Sequence, residues 1–229
     1  MNKLLDGSYH PPAPNFYTGR GTVLATRANL PHWNKSSTAS FVTFRLADAL
    51  PQEKLLKILE GSGVDLSCEA VGRPLPREGE CEAVGRPLPR EGEPGSAFLS
   101  DSYSATENAI QEYLDAGYGS CVLRNAECRQ IVEETLWHFA SERYALYAYV
   151  VMPNHVHVLF MPTEGWTLSE TVAGWKKFAA RRLNDILGRE GPLWQKESFD
   201  TLVRSERHFT TIVGYIKRND PATAWVAYR

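Results

Sequence analysis

Apolar residues recur along the chain with two different periods, and the periods divide it into strands and helices. Residues 38–46 (TASFVTFRL) and residues 144–152 are rich in β-branched and aromatic side chains, which is typical of strands. Pro153-Asn154 predicts a turn, so residues 155–161 become the partner strand of a hairpin. A third, short strand is predicted at residues 119–123. Apolar residues at helical spacing predict helices over residues 51–59, 105–114, 128–141, 168–187 and 209–218.

A strand hairpin combined with helices that lie between other strands indicates the α+β class. The arrangement expected is a ferredoxin-like antiparallel sheet with helices on one face. The chain of 229 residues, 43 % of them hydrophobic, is long enough to bury one such core with an appendage.

A perfect tandem repeat interrupts this pattern. The string CEAVGRPLPREGE occupies residues 68–80 and recurs at residues 81–93. Its Gly, Pro and charged residues offer little to bury, so residues 61–100 are predicted to be a flexible insert. We expect an extended N-terminal arm over residues 1–35, one domain over 36–221 that this insert interrupts, and a tail over 222–229.

Charge and cysteine content change this picture only slightly. The net charge is −2, yet residues 141–229 carry 12 Lys/Arg against 9 Asp/Glu, which gives +3 and suits a polyanionic partner. None of the four cysteines lies in a Cys-x-x-Cys pair, so no zinc or redox motif is indicated. The absence of a long apolar run and of a signal-peptide pattern predicts a soluble, cytoplasmic protein with no membrane partner.

The strongest chemical signal is the pair His155 and His157. In an extended strand, residues two apart project from the same face, so both imidazoles would point one way while Val156 and Val158 enter the core. Two imidazoles on one face could begin a divalent metal site. The alternative is that both are ordinary core or surface histidines.

A candidate nucleophile and a further oxygen ligand occur about sixty residues later. Tyr215 and Asn219 are four positions apart and would share one face of the last helix. A tyrosine placed there could reach a metal-polarised phosphate, and Asn219 could complete the metal site. The competing interpretation is that Tyr215 is simply a packing residue on an amphipathic helix.

Basic residues near these positions are candidates for contacts with a polyanion. Lys177 and Arg181, four positions apart on the 168–187 helix, form a like-charge pair that a bound anion would relieve. A solvated helix face is the alternative. The residues predicted to bind a polyanion are Arg45, Lys176, Lys177, Arg181, Arg182, Lys217 and Arg218.

Four stretches of the chain together resemble one family, the HUH single-tyrosine, IS200-like bacterial transposases, and within it the REP-associated tyrosine transposases. They are Asn29-Leu30-Pro31-His32-Trp33 with Phe41-Val42-Thr43-Phe44-Arg45; residues 149–159 with Met152-Pro153-Asn154-His155-Val156-His157; Gly191-Pro192-Leu193-Trp194-Gln195 with Phe199-Asp200; and Tyr215-Ile216 with Asn219.

The resemblance implies roles for these residues. His155, His157 and Asn219 would hold Mg²⁺ or Mn²⁺. Tyr215 would attack a phosphodiester of single-stranded or hairpin DNA, leaving a 5′-phosphotyrosine and a free 3′-hydroxyl. Such proteins act as monomers or homodimers, and a metal-dependent transposase that cleaves and rejoins REP-like palindromes is the function implied.

One departure from the family pattern keeps a second function open. The order here is Asn219-Asp220-Pro221, one residue longer than the usual Asn-Pro, so Asp220 could serve as a ligand instead. The alternative is a domesticated or decayed protein that binds hairpin DNA without cleaving it. A histidine-triad nucleotide hydrolase would need a third histidine where Leu159 stands, and a relaxase or rolling-circle initiator fits the Met-Pro-Asn lead-in less well.

Overall fold

A computed structural model describes most of the chain outside the insert. The described residues are 9–18, 24–27, 31–34, 37–51, 53–54, 57–58, 109–110, 112–114, 116–219 and 224–227. The tandem repeat, the whole predicted insert and Asp220 with Pro221 therefore lie outside the described residues.

Seven strands among the described residues form two antiparallel sheets. Residues 24–27 and 31–34, inside the region expected to be an extended arm, pair with each other as two short antiparallel strands. The other five strands form the main sheet in the order β6-β3-β5-β4-β7, and every neighbouring pair is antiparallel. The strands are β1 (Leu24–Arg27), β2 (Pro31–Asn34), β3 (Ser40–Arg45), β4 (Tyr144–Val151), β5 (His155–Pro162), β6 (Phe199–Leu202) and β7 (Trp225–Val226).

Three long helices accompany the sheet: α1 (Ala126–Trp137), α2 (Leu168–Leu187) and α3 (Glu206–Asn219). The bounds of α2 agree with its prediction, because Thr167 and Glu170 form a capping box at the start and Gly188 adopts φ 58° at the end. The described residues within 53–58 and 109–114 are also helical.

The strand predicted at residues 119–123 is wrong. Val122–Arg124 form a short 3-10 helix instead. Gly119 has φ 91° and Cys121 has φ 49°, and such positive values turn the backbone out of the extended conformation that a strand needs.

The two faces of the main sheet carry separate cores. Val156, Val158 and Phe160 point toward α1 and α2, together with the apolar residues of those helices. Leu159 and Met161 point to the opposite face, which α3 covers. The predicted α+β class and antiparallel sheet are confirmed, but the helices occupy both faces rather than one. The reason is that α3 has its own apolar stripe, Phe209, Ile212 and Ile216, which needs a second surface to bury it.

The chain beyond α3 is part of the sheet. Trp225–Val226 pair with Ala148 and Tyr149 of β4, and the Trp225 ring stacks on Tyr149 at a centroid distance of 5.7 Å. Residues 225–226, which lie within the predicted tail, thus pair with the main sheet.

Candidate metal and nucleophile site

Two adjacent strands present a row of polar side chains on the face that α3 covers. In the β3–β5 register, Thr43 lies opposite His157 and Arg45 lies opposite His155. Directly opposed residues of an antiparallel pair share a face, so these four side chains lie together. All four are buried, which is unusual for polar groups and marks this face as a candidate site.

The two imidazoles converge. Nε2 of His155 lies 3.0 Å from Nε2 of His157, and the ring centroids are 4.6 Å apart. Both side chains have 0 % solvent exposure. The predicted common projection of the two histidines is thus what the structure shows, with Val156 and Val158 turned into the other core.

Asn154 fixes the tautomer of His155. Its amide nitrogen donates to the carbonyl oxygens of Leu114 at 3.0 Å and Tyr118 at 2.9 Å, so its oxygen must face Nδ1 of His155, 2.7 Å away. An amide oxygen only accepts, so Nδ1 carries the hydrogen and Nε2 of His155 keeps its lone pair.

Thr43 and Phe41 hold the second imidazole. The Thr43 hydroxyl lies 2.8 Å from Nδ1 of His157, and the Phe41 ring stacks on the imidazole at 5.4 Å between centroids. Partners on the far nitrogen of a histidine orient the ring and set its basicity toward a metal.

Both imidazoles are neutral at pH 7. Burial, followed by the positive charge of Arg45, lowers the pKa of His155 to about 3. Burial, followed by the neighbouring His155, holds the pKa of His157 well below its usual value. Neutral imidazole is the form that binds a metal ion.

The third component, Tyr215, comes from α3 on the same side of the sheet. Its hydroxyl lies 3.3 Å from Nε2 of His157, and its ring makes an edge contact with Phe41 at 6.1 Å between centroids. Phe41, His157 and Tyr215, which span 174 positions of the chain, therefore contact one another.

Asn219 lies one turn beyond Tyr215. Its amide nitrogen is buried and has no hydrogen-bond partner among the described residues. Within that same part of the chain, no group of three His, Cys, Asp or Glu side chains comes together. Asn219 is the oxygen ligand predicted beside the histidines, and Asp220, the alternative, lies outside the described residues.

The residues present fit a divalent cation. Two ligand nitrogens at right angles around an ion with bonds of about 2.1 Å stand about 3.0 Å apart, which is the spacing of the two Nε2 atoms. The same distance is also that of a hydrogen bond from Nε2–H of His157 to the Nε2 lone pair of His155, so an ion at this point requires the tautomer of His157 that leaves Nε2 without hydrogen. The unpartnered amide of Asn219 is a buried polar group that an oxygen–metal contact would satisfy after a flip of the amide.

A buried cation stands next to the histidines. Arg45 is 5 % exposed, and its Nε donates to the side-chain oxygen of Gln195. Burial lowers its pKa to about 10. Lys176 of α2 donates from Nζ to the carbonyl oxygen of Lys196 at 2.7 Å. Its pKa is lowered to about 8, chiefly by burial, while Glu197 opposes the shift and Arg45 adds to it.

The other predicted DNA-binding residues lie on two helices. On α2, Lys177 is exposed and borders a cavity of about 340 Å³ between α1 and α2, as does Arg181. Arg182 differs, because its guanidinium is paired with Glu134 at 2.7 Å. Lys217 and Arg218 are exposed in the last turn of α3, close to Tyr215 in the chain.

The sequence analysis assigned no role to Asn154, Thr43 or Gln195. Thr43 alternates with Arg45 along β3, and polar residues at alternate positions of an otherwise apolar strand are a signal that could have identified it. The partners of Asn154 lie on a turn about forty positions upstream, so its role required the fold.

Comparison with known proteins supports the resemblance. Residues 121–219, which include α1 through α3, match the family model described as "Transposase IS200 like", in agreement with the predicted resemblance. No curated protein matches the chain. One similar solved structure is described as "Structure of the REP associates tyrosine transposase bound to a REP hairpin". It has 13 % identity and a TM-score of 0.39, and the match covers 82 % of this chain and 69 % of that chain.

Proposed function

We propose that this chain, whose residues 121–219 match the IS200-like transposase family, cleaves and rejoins single-stranded DNA at REP-like hairpins through Tyr215. The observation that carries the proposal is the 3.3 Å approach of the Tyr215 hydroxyl to Nε2 of His157. A half-buried tyrosine that served packing alone would not need its hydroxyl beside a pair of neutral, converging histidines.

The reaction exchanges one phosphodiester for another. The Tyr215 oxygen forms a bond to phosphorus while the bond from phosphorus to the 3′ oxygen breaks. The phenol loses its proton, and the departing 3′ oxygen gains one. The products are a 5′-phosphotyrosine and a 3′-hydroxyl, and the reverse reaction with the same or another 3′-hydroxyl restores an intact strand and free Tyr215.

His155 and His157 would hold Mg²⁺ or Mn²⁺, with Asn219 as an additional oxygen ligand. When bound, such an ion lowers the energy of the negative charge that develops on the phosphate oxygens. The chain's own contribution is orientation. Asn154 and Thr43 fix the two imidazoles, and the edge contact with Phe41 positions the Tyr215 ring.

DNA would be held by the basic residues around this site. Lys217 and Arg218 are exposed in the same helix as the nucleophile, and Lys177 and Arg181 are exposed on α2. Exposed cations of this kind neutralise backbone phosphates without reading sequence. Arg182 would contribute only if its pairing with Glu134 opened.

A single chain carries both the histidine pair and the tyrosine, which supports action as a monomer; a homodimer remains the other arrangement that we consider. No helix among the described residues is long and apolar enough to cross a membrane. We place the reaction in the cytoplasm, where the DNA substrate is found.

A second candidate is a hairpin-binding protein without cleavage. It is favoured by the order Asn219-Asp220-Pro221, in which an additional residue separates Asn219 from the proline that follows the helix. The two candidates share DNA binding and differ in covalent chemistry.

The test mixes the full chain with labelled single-stranded hairpin oligonucleotides, taken from palindromes that flank the gene, and with Mg²⁺ or Mn²⁺. A protein–DNA adduct on a denaturing gel is expected from the wild type and not from Tyr215→Phe or in the presence of a chelator. Tyr118→Phe is the matched control, since Tyr118 is half exposed and its hydroxyl has no partner among the described residues.

Wild-type protein that retains the hairpin on a native gel but forms no adduct would establish the binding protein instead. An adduct that survives in Tyr215→Phe would show that another residue is the nucleophile.

A further inference from the structure

A buried arginine without an acidic partner lies at the edge of the candidate site. The Arg45 side chain is 95 % buried, and its Nε donates to the neutral amide oxygen of Gln195. No carboxylate among the described residues pairs with its guanidinium. An unpaired buried charge costs free energy, so a fold that keeps one usually receives an opposite charge from a ligand.

Gln195 is fixed as a neutral acceptor. Its amide nitrogen donates to the carbonyl oxygen of Leu50 at 2.7 Å, and its backbone N–H donates to the carbonyl oxygen of Arg45 at 2.9 Å. The amide oxygen is therefore turned toward the guanidinium. This contact sets the direction of Arg45 and leaves its charge uncompensated.

A second cation is directed to the same place. Lys176 reaches from α2 to the carbonyl oxygen of Lys196, the residue that follows Gln195. Burial is the main cause of the lowered pKa of Lys176; the charge of Glu197 opposes the shift and the positive charge of Arg45 adds to it. Like charges gathered in a partly buried place repel each other, and a bound anion offsets that repulsion.

The position of Arg45 relative to the two histidines indicates which anion would bind. Arg45 pairs with His155 across the β3–β5 ladder, so it stands beside the proposed metal ligands and on the same face. A planar guanidinium can bind a phosphate with two parallel hydrogen bonds, and an ammonium adds a point charge.

We propose that Arg45 and Lys176 bind one backbone phosphate of the DNA strand beside the histidine pair, and that Gln195 is the positioning residue that aims Arg45. The identity of the ligand as DNA rests on the proposed function. The site itself does not, because a phosphate group of any origin would meet the same residues.

The test uses the full chain in chelator, so that neither metal nor cleavage enters. Calorimetric titrations measure binding of inorganic phosphate, against chloride at equal ionic strength, and binding of a single-stranded oligonucleotide at several salt concentrations. The variants are Arg45→Gln and Gln195→Glu, with Arg189→Gln as a control of the same charge change. Arg189 is exposed after α2, and its guanidinium donates only to the carbonyl oxygen of Pro192, at 3.5 Å, among the described residues.

Arg45→Gln is expected to weaken phosphate binding at least about tenfold and to reduce the salt dependence of oligonucleotide binding by about one phosphate contact. Gln195→Glu supplies Arg45 with a carboxylate of the same shape. It should abolish phosphate binding, because the new ion pair occupies the guanidinium. The donor to the carbonyl oxygen of Leu50 is lost as well, so thermal unfolding serves to show that the variant is folded. Loss of phosphate binding in protein that still unfolds cooperatively is a result that a purely structural role for Gln195 would not produce.

Gln195→Glu protein that binds phosphate as the wild type does would overturn the proposal, and so would an equal loss in Arg189→Gln. Phosphate binding that depends on Arg45, with oligonucleotide binding that does not, would overturn the assignment to DNA. If the wild type forms no tyrosine adduct but phosphate binding is lost in both site variants, the anion site stands and the proposed cleavage fails.

Discussion

The side-chain oxygen of Asn154 lies 2.7 Å from Nδ1 of its neighbour His155, while the amide nitrogen of Asn154 is held by two backbone carbonyls. Because the amide cannot turn, one residue of a turn decides which nitrogen of a histidine is available to a metal ion. The turn before β5 is therefore part of the site and more than a connection between strands.

Replacing Asn154 by Ala should weaken binding of Mn²⁺ by about 10- to 100-fold, because the His155 ring loses the partner that fixes its tautomer. The carbonyls of Leu114 and Tyr118 also lose their donor, which should cost about 1–3 kcal/mol of the free energy of unfolding. Metal titration and urea unfolding measure the two effects. Asn184→Ala is the control: its amide donates only to Gly191, so an equal loss of affinity there would contradict the role of Asn154.

Thr43→Val keeps the shape of the side chain and removes the hydroxyl that lies 2.8 Å from Nδ1 of His157. We expect a 10- to 100-fold loss of Mn²⁺ affinity, on the order found for partners of metal-bound histidines, with far-ultraviolet circular dichroism unchanged. Thr171→Val makes the same exchange where the hydroxyl donates to the carbonyl of Thr167 within α2. Unaltered metal affinity in Thr43→Val would show that His157 needs no such partner.

Acid should destabilise the protein through its buried histidines. The folded-state pKa of His155, about 3, lies below its unfolded value, so the unfolded chain takes up protons that the folded chain cannot. Stability is full above pH ~6.5 and falls as the pH decreases toward 3; at pH 5 the loss from His155 is about 2 kcal/mol. His157 acts in the same direction.

The measurement is urea unfolding at pH 7 and pH 5 without metal. The His155→Gln, His157→Gln double variant should lose much less stability between the two pH values than the wild type. His138→Gln, at an exposed histidine, should keep the wild-type difference. If the wild type has the same free energy of unfolding at both pH values, the two histidines are not buried in their neutral form, and the expectation is wrong.

Local patterns were enough to predict β3, β4, β5 and α2, because each has one clear period and well-marked ends. The common face of His155 and His157 follows from the strand period alone. The sequence did not predict which face of the sheet α3 covers. An amphipathic stripe shows that one side of a helix is buried, but it does not show which surface buries it. The prediction of a short strand at residues 119–123 was wrong because the backbone adopts positive φ angles at Gly119 and Cys121, which a strand does not allow.

The parts of the candidate site that consist of a few unusual residue types could be predicted from the sequence. The parts that depend on contacts between distant segments of the chain could not. Tyr215 and the histidines were predicted from their types and spacing together with the family resemblance, and the structure places these side chains next to one another. Asn154 and Gln195 act through hydrogen bonds to backbone carbonyls far away in sequence, and no periodic pattern records such partners. Arg45 was expected to touch DNA, but its burial and lack of a carboxylate partner appear only in three dimensions.

The strands on either side of α3 belong to opposite margins of the main sheet: β6 precedes the helix and pairs with β3, whereas β7 follows it and pairs with β4. The helix thus crosses the sheet from one border to the other and is anchored at both. In the proposed reaction, a DNA end joined to Tyr215 could not travel without peeling a border strand away. The exchange of DNA strands would then require movement of the free 3′ end of the DNA, while the protein and the DNA end joined to it stay in place.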